Sequence, residues 1–172
     1  TRRAAERRMA AGMTRVQAIW QHPLYQKHLN ALTRLESDRI FCRHTPEHFL
    51  DVARLMYIYS VEQELSISKE VIYAAAFMHD IGRIDQIEKG IPHEMAGAAL
   101  CDRILPDCGF AKEESSLIKD FILHHRIKDT GADTPLYEML YWADKKSRNC
   151  FACAAQAECN WDRQKMNLEI DY

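Results

Sequence analysis

Histidine and aspartate residues lie on the apolar faces of several predicted helices, where an unpaired polar side chain is costly to bury. The inward-facing candidates are His48, His79, Asp80, His124, His125 and Asp144. For any one histidine, a hydrogen-bonded core or surface role is the commoner explanation. For the whole set, one shared divalent cation satisfies every member, because imidazole nitrogens and carboxylate oxygens are normal metal ligands. The pattern therefore predicts a metal centre at the converging ends of four helices.

The elements that must position these residues are predicted to be helices, since the apolar periodicity is helical and no run alternates strictly. The predicted helices are 3–20, 22–38, 46–64, 69–80, 93–104, 112–126 and 135–147. Thr45-Pro46 and Thr134-Pro135 each place a capping hydroxyl before a proline at the first helical position. Glycines bracket residues 82–90, which are predicted to form a loop. The predicted fold class is all-α, a single-domain helical bundle.

Size and charge limit the classes of function. A chain of 172 residues with 47% hydrophobic and 28% charged residues suits one globular unit. We predict N-terminal helices at 1–40 that pack on a metal-binding core at 41–148, followed by a cysteine-containing segment at 149–172.

The charge balance limits the classes of partner. Lys and Arg number 23 against 25 Asp and Glu, which argues against a dedicated nucleic-acid surface. Without a long apolar run, we expect a cytoplasmic protein with no membrane partner. A homo-oligomer is compatible with an apolar strip on the N-terminal helices.

The segment around His79-Asp80 resembles a known family hallmark. Residues 74–83, AAAFMHDIGR, resemble the signature of the HD superfamily of metal-dependent phosphohydrolases. Residues 48–53, HFLDVA, resemble that family's first histidine helix, and residues 141–144, YWAD, resemble its final aspartate. A bare His-Asp pair has no specificity, but this ordered set, within residues 42–148, is quite specific. The resemblance implies an HD-type fold with a metal ion held by His48, His79, Asp80 and Asp144.

Further histidines resemble those of the dinuclear members. His93, in the segment PHEMAGA at 92–98, resembles their His-x-x-x-Gly-Ala helix start, and His124-His125 resembles their later histidine. This likeness places the chain nearest the subgroup that hydrolyses diadenosine tetraphosphate at a di-iron centre. It implies one or two divalent ions (Fe, Mn, Zn, Ni, Co or Mg), with di-iron favoured. Position relative to the family motif favours His124 over His125 as the ligand.

The resemblance also implies a reaction, the hydrolysis of a nucleotide or dinucleotide phosphate by metal-activated water. Asp80 is expected to bridge two ions, or to accept a proton if only one is bound. Arg83, with Lys145 and Arg148, is expected to bind the phosphates, although a surface salt bridge is an alternative for Arg83. His44 is expected behind the ligands or at the surface, because Pro46 separates it from the helix of His48.

Cysteines form a second constellation near the chain's end. Cys150-x-x-Cys153 followed by Cys159, with Cys42 before the first ligand helix, could supply four thiolates to structural zinc or an iron–sulfur cluster. The alternative is that the last three are ordinary small residues of an alanine-rich terminal helix. The cysteines also motivate a second function, a non-hydrolytic HD-type module that binds a metal or senses redox state. A helical domain without metal is the third interpretation.

Overall fold

The structure is a computed structural model that describes residue 3 and residues 12–126 and 135–172. Its helices are α1 Thr14–Gln21, α2 Pro23–Leu35, α3 Pro46–Glu62, α4 Lys69–Met78, α5 Arg83–Lys89, α6 His93–Ile104, α7 Lys112–His124 and α8 Pro135–Lys146. Short 3-10 turns follow at Pro106–Cys108 and Cys150–Ala152. Because these described ranges contain helices and no strand, the all-α prediction is confirmed.

Helix α4 occupies the centre of the molecule. Every residue from Val71 to Met78 is buried, and α4 packs against α3 on one side and α7 on another. A helix that is apolar all round must be surrounded by protein, which agrees with this central position. Whatever follows the last turn of α4 therefore begins inside the molecule, and the residues that follow are His79 and Asp80.

The first ligand helix begins where the sequence predicts. The Thr45 side chain accepts a hydrogen bond from the backbone N–H of His48 at 3.3 Å, and Pro46 is the first residue of α3. This cap fixes the start of the helix and therefore the face on which His48 lies. The second predicted cap, Thr134, and residues 4–11 of the first predicted helix lie outside the described residues.

The prediction of a loop at 82–90 is wrong, because α5 occupies Arg83–Lys89. Ile84 is buried, Lys89 donates to Asp85 at 2.7 Å one turn away, and Gly90 ends the helix with a φ of 71°. A helix of seven residues is too short to show a clear apolar periodicity. The Asp85–Lys89 pair at i, i+4 and the terminal Gly90 are nevertheless both typical of a helix.

Helices α1 and α2 pack on this core through α4. The Tyr25 hydroxyl donates to the Phe77 carbonyl at 3.0 Å inside the core. The Arg15 guanidinium bridges Glu70 at 3.0 Å and Glu114 at 2.7 Å, which joins α1 to the first turns of α4 and α7. The division of the chain at residues 40 and 148 stays a prediction. No helix in the described residues is both long and apolar enough to cross a membrane.

Gly82 is the point of closest approach between the end of α4 and the start of α6. A Cβ atom there would clash with the His93 carbonyl oxygen and the Gly97 amide nitrogen. Only glycine lets the two backbones meet so closely. The contact holds the N-terminus of α6, and with it His93, against the His79-Asp80 turn.

Candidate metal centre

His79 and Asp80 form the floor of the candidate centre. The Nδ1 of His79 donates to the Ala76 carbonyl at 2.6 Å, which directs Nε2 towards Asp80 Oδ2 at 2.9 Å and Asp144 Oδ1 at 3.6 Å. His79 Nε2 and Asp80 Oδ2 are buried and make no hydrogen bond. Unpaired buried polar atoms of this kind are rare and need a reason. A cation between them supplies one.

His48 and Asp144 close the first ligand group. The Ser147 hydroxyl donates to the Asp144 carbonyl at 2.8 Å and so accepts from His48 Nδ1 at 3.2 Å. This arrangement leaves His48 Nε2 unprotonated and 3.2 Å from Asp144 Oδ1. One ligand atom from each of His48, His79, Asp80 and Asp144 lies within 4.8 Å of all the others. The structure thus brings together the four residues predicted for the first ion.

His93 and His125 form a second group with Asp80. His93 Nδ1 donates to the Gln86 side-chain carbonyl at 2.6 Å, and His125 Nδ1 donates to the Ile122 carbonyl at 2.5 Å. With both Nδ1 atoms protonated, the two Nε2 atoms present lone pairs to each other at 3.0 Å. Two nitrogens about 2.1 Å from one ion, at a right angle, also lie about 3.0 Å apart. The spacing therefore fits two ligands of a shared ion.

Asp80 belongs to both groups. Its Oδ2 lies 3.5 Å from His48 Nε2 on one side, and its Oδ1 lies 3.6 Å from His93 Nε2 on the other. The carboxylate is only 1% exposed. A carboxylate that presents one oxygen to each of two ligand groups has the geometry of a bridge between two ions.

Burial and charge set the protonation of these groups. Burial lowers the pKa of His93 to about 3 and of His125 to about 4, with nearby positive charge adding to the effect, so both are neutral. Neutral imidazole is the form that binds a metal. Burial also disfavours the cationic form of His79, but the Asp80 and Asp144 carboxylates outweigh it and raise the pKa of His79 to about 10. The two carboxylates therefore attract positive charge to the position where a metal ion would bind.

The structure brings His125, and not the favoured His124, into the centre. The buried face of α7 runs through Ile118, Ile122 and His125, so His124 is one residue out of register. The His124 ring instead stacks on Tyr137 with centroids 4.5 Å apart, and its Nδ1 donates to the Asp120 carbonyl. The preference for His124 rested on its position relative to the family motif, and it was wrong, because the ligand group of Asp80 and His93 contains His125.

His44 lies beside the centre. The sequence left open whether this residue lies behind the ligands or at the surface. It precedes α3 as predicted, but it is buried, and its Nδ1 contacts both Glu36 oxygens at 2.8 and 2.9 Å. Its Nε2 lies 3.8 Å from Asp80 Oδ2. Burial lowers the pKa of His44 despite the opposing charge of Glu36. Nothing in the spacing of residues 36 and 44 indicates this pair, because the segment between them has no regular structure.

A cavity of about 450 Å³ opens onto the centre. Its charged lining residues are Arg39, Arg43, Arg83, Lys145 and Arg148, with Asp51 and Asp144 as the acids. Arg83 Nε donates to Asp80 Oδ1 at 2.8 Å, and Lys145 Nζ donates to Asp144 Oδ2 at 2.8 Å. Arg83 therefore forms a salt bridge, as the alternative held, but its partner is the buried Asp80 and not a surface residue. The cavity carries an excess of positive charge although the whole chain does not.

The predicted cysteine constellation lies on a wall of the same cavity. Cys42, Cys150, Cys153 and Cys159 all line it. The alternative of a terminal alanine-rich helix is wrong, since residues 149–172 contain no α-helix and only the 3-10 turn at Cys150–Ala152. Cys101 and Cys108 are buried away from this wall, within the core.

Comparisons with known proteins identify the family and the fold. The HD domain family model matches residues 45–155. An uncharacterized protein of Clostridium beijerinckii is 39% identical over 160 residues, which span 93% of this chain and 100% of that protein. The crystal structure of a predicted HD superfamily hydrolase from an uncultured Thermotogales bacterium shares the fold, with a TM-score of 0.57, 20% identity, and coverage of 83% of this chain and 81% of that chain. With its ordered histidines and aspartates gathered at one buried centre, the chain belongs to the HD domain family.

Proposed function

We propose that this protein is a metal-dependent phosphohydrolase that acts on a nucleotide or dinucleotide phosphate. The observation that carries the proposal is a buried His/Asp ligand set that opens into a cavity lined by five cationic and two acidic side chains. A cavity with this charge attracts anions, and the ligand set below it suits a metal that activates water. The membership of the HD domain family supports the same reaction class.

We infer that two divalent ions bind. His48, His79 and Asp144 would hold one ion, His93 and His125 would hold the other, and Asp80 would contact both. A donor set rich in imidazole favours iron, zinc, manganese, cobalt or nickel over magnesium, and we propose iron by the family resemblance. When bound, such ions supply the activation of water for attack on phosphorus.

The cationic residues have separable roles in this proposal. Arg83 and Lys145 each donate one hydrogen bond to a ligand carboxylate, and their remaining protons face the cavity, where they can bind phosphoryl oxygens. Arg148 spans from the Arg43 carbonyl to His48 Nε2, at 2.8 and 3.2 Å, which places a third cation at the mouth of the centre. Together they would bind a substrate with more than one phosphate group.

A nucleoside fits the rest of the lining better than a bare phosphate does. Phe41 and Trp161 present aromatic surface to the cavity, and Asn149, Gln156 and Asn160 add amide groups. Aromatic faces stack on bases, and amides can hydrogen-bond to their edges. We expect these residues to contact the base, with the phosphates of a bound nucleotide directed towards the metal ligands.

His44 is a candidate for proton transfer in the same reaction. Glu36 accepts the Nδ1 proton and fixes the ring, so the Nε2 lone pair faces the centre. A neutral imidazole held there can take a proton from water or return one to the leaving group. We expect His44→Gln to keep its metal but to lower kcat on the order of 100-fold, with loss of one limb of the pH–rate profile.

Product formation from a panel of nucleotides and dinucleotides, measured without air with each candidate metal and read as released nucleotides by chromatography as well as inorganic phosphate, tests the proposed function. We expect turnover in the wild type and in Asp102→Ala, whose exposed carboxylate pairs with Lys119 on the outer surface. Asp80→Ala should lose the metal of the His/Asp centre and, with it, turnover. A protein that carries two ions per chain yet hydrolyses no substrate of the panel, to nucleotide or to phosphate, would overturn the hydrolase proposal and favour the non-hydrolytic binding or sensing module.

A further inference from the structure

Four thiols from two distant parts of the chain meet on one wall of the cavity. Cys42 comes from the segment before α3, whereas Cys150, Cys153 and Cys159 come from the segment after α8. Cys150 is buried and the other three are half-buried. All four are free thiols, and none is used by the reaction proposed above.

The segment that carries three of these cysteines has almost no buried core of its own. Between Asn149 and Tyr172, Cys150 is the only buried residue, and the only regular structure is the 3-10 turn that contains it. Small units that cannot bury an apolar core are usually held by disulfides or metals. Because the segment forms a defined wall without a core of its own, a cross-link at the cysteines would account for its conformation.

Hydrogen bonds within the segment shape it around the thiols. Gln156 Nε2 donates to the Cys150 carbonyl at 2.7 Å, and the Trp161 backbone N–H donates to Cys159 Sγ at 3.5 Å. Backbone N–H groups that point at sulfur stabilise thiolates and are one way in which proteins tune metal–sulfur sites. A protonated thiol needs no such donor.

The other three thiols contribute to the electrostatic environment of Cys42. Burial raises the pKa of the Cys42 thiol, and the neighbouring Cys150, Cys153 and Cys159 raise it further, while the Arg148 guanidinium opposes them. Thiolates around one cavity would repel one another in the absence of a cation. A bound metal removes this repulsion and holds the thiols in the deprotonated form.

We propose that Cys42, Cys150, Cys153 and Cys159 are the thiolate ligands of a second metal centre, an iron–sulfur cluster that fixes the C-terminal segment against the substrate cavity. The spacing favours a cluster over one zinc ion. Tetrahedral zinc draws its sulfurs to about 3.8 Å from one another. In the part of the chain that the structure describes, ligand sets within 4.8 Å occur at the His/Asp centre and not among these sulfurs. A cluster of several irons holds its cysteines farther apart.

Metal and acid-labile sulfide content per chain, measured on protein purified without air, tests this proposal independently of any enzymatic activity. We expect about four irons and four sulfides at the cysteines, with a broad absorbance band in the visible range. The sulfide should be lost in Cys153→Ser and Cys159→Ser. It should persist in Cys108→Ala, a buried cysteine outside the wall, and in Asp80→Ala, which removes the shared ligand of the His/Asp centre.

A second measurement covers the case in which the cysteine variants do not fold. X-ray absorption on the Asp80→Ala protein, whose four thiols are intact, should show iron with sulfur neighbours at about 2.3 Å. One zinc per chain with sulfur neighbours would keep the four-thiolate site and overturn the cluster. Metal with only nitrogen and oxygen neighbours, or no metal in this protein, would overturn the proposal as a whole.

Discussion

The His/Asp centre and the cysteine wall lie on the same cavity, but the chain builds them in opposite ways. The histidines and aspartates lie at or next to the ends of α3, α4, α6, α7 and α8, and five of the six ligands in the two groups are less than 6% exposed. Helix packing fixes their backbone before any ligand arrives. The cysteines lie on irregular segments with a single buried residue between 149 and 172. Helix packing therefore preorganises the His/Asp centre, whereas the cysteine wall needs its bound metal to become ordered.

The largest expected effect distinguishes the two adjacent histidines of α7. We expect His125→Ala to lose one ion per chain and to lower kcat/KM on the order of 1,000-fold, since its Nε2 faces the second ion position. His124→Ala, its matched control, should keep both ions and stay within about threefold of wild type, because that ring only stacks on Tyr137. Metal content and steady-state kinetics measure both. Equal losses in the two variants would contradict the assignment.

A methyl group at Gly82 tests whether packing preorganises the His/Asp centre. Gly82→Ala must displace the backbone of His93 or Gly97, and we expect it to lower the free energy of unfolding by about 3 kcal/mol. Gly12→Ala is the control, because a Cβ there meets no atom within 4 Å. Urea denaturation measures both. A Gly82→Ala protein as stable as wild type would show that the α4–α6 contact is not fixed as described.

Metal removal should affect the two regions differently. After treatment with a chelator, we expect amide exchange in 149–172 to quicken at least about tenfold, since the cross-link that orders it is gone. Exchange in α3 and α4 should change much less, because their buried packing remains. Hydrogen–deuterium exchange read by mass spectrometry compares the regions in one sample. If the amides of 149–172 exchanged at the same rate with and without metal, the proposal that a bound metal orders this segment would be contradicted.

The smallest effect concerns a hydrogen bond within the cysteine segment. The Asn167 amide donates to the Lys145 and Arg148 carbonyls at 2.7 and 2.9 Å, and so ties the segment to the end of α8. We expect Asn167→Ala to lower the local opening free energy of this segment by about 1 kcal/mol. The exposed Asn160→Ala should change it by less than about 0.5 kcal/mol. Exchange rates at Phe151, whose N–H bonds to the Asn167 carbonyl at 2.9 Å, report the difference.

Sequence patterns predict the parts of the site that helical periodicity controls. The stripe through Val52 places His48 inside, and the apolar run of α4 leads directly to His79 and Asp80. Periodicity does not separate His124 from His125, because both follow the buried Phe121 within about one turn, and it is the tertiary packing that buries His125 and leaves His124 half-buried. The short α5 was missed because seven residues give too little periodic signal.

Contacts between irregular segments were the hardest to predict from the sequence. The Glu36–His44 pair forms across a connection without regular structure, so no spacing rule applies to it. Cys42 and Cys159 are brought together by the fold of the whole chain, and their pairing was suggested only by residue type and by a neighbouring ligand helix. Residue chemistry can identify such groups, but the tertiary structure is needed to bring them together.

The central claim is that the His/Asp centre holds two ions with Asp80 between them. Anomalous diffraction from crystals of protein purified without air and loaded with iron or manganese tests it directly. The account predicts two peaks in this centre, one beside His48, His79 and Asp144 and one beside His93 and His125, with an Asp80 oxygen facing each. No peak, or a single peak with His93 and His125 hydrogen-bonded to each other, would contradict it.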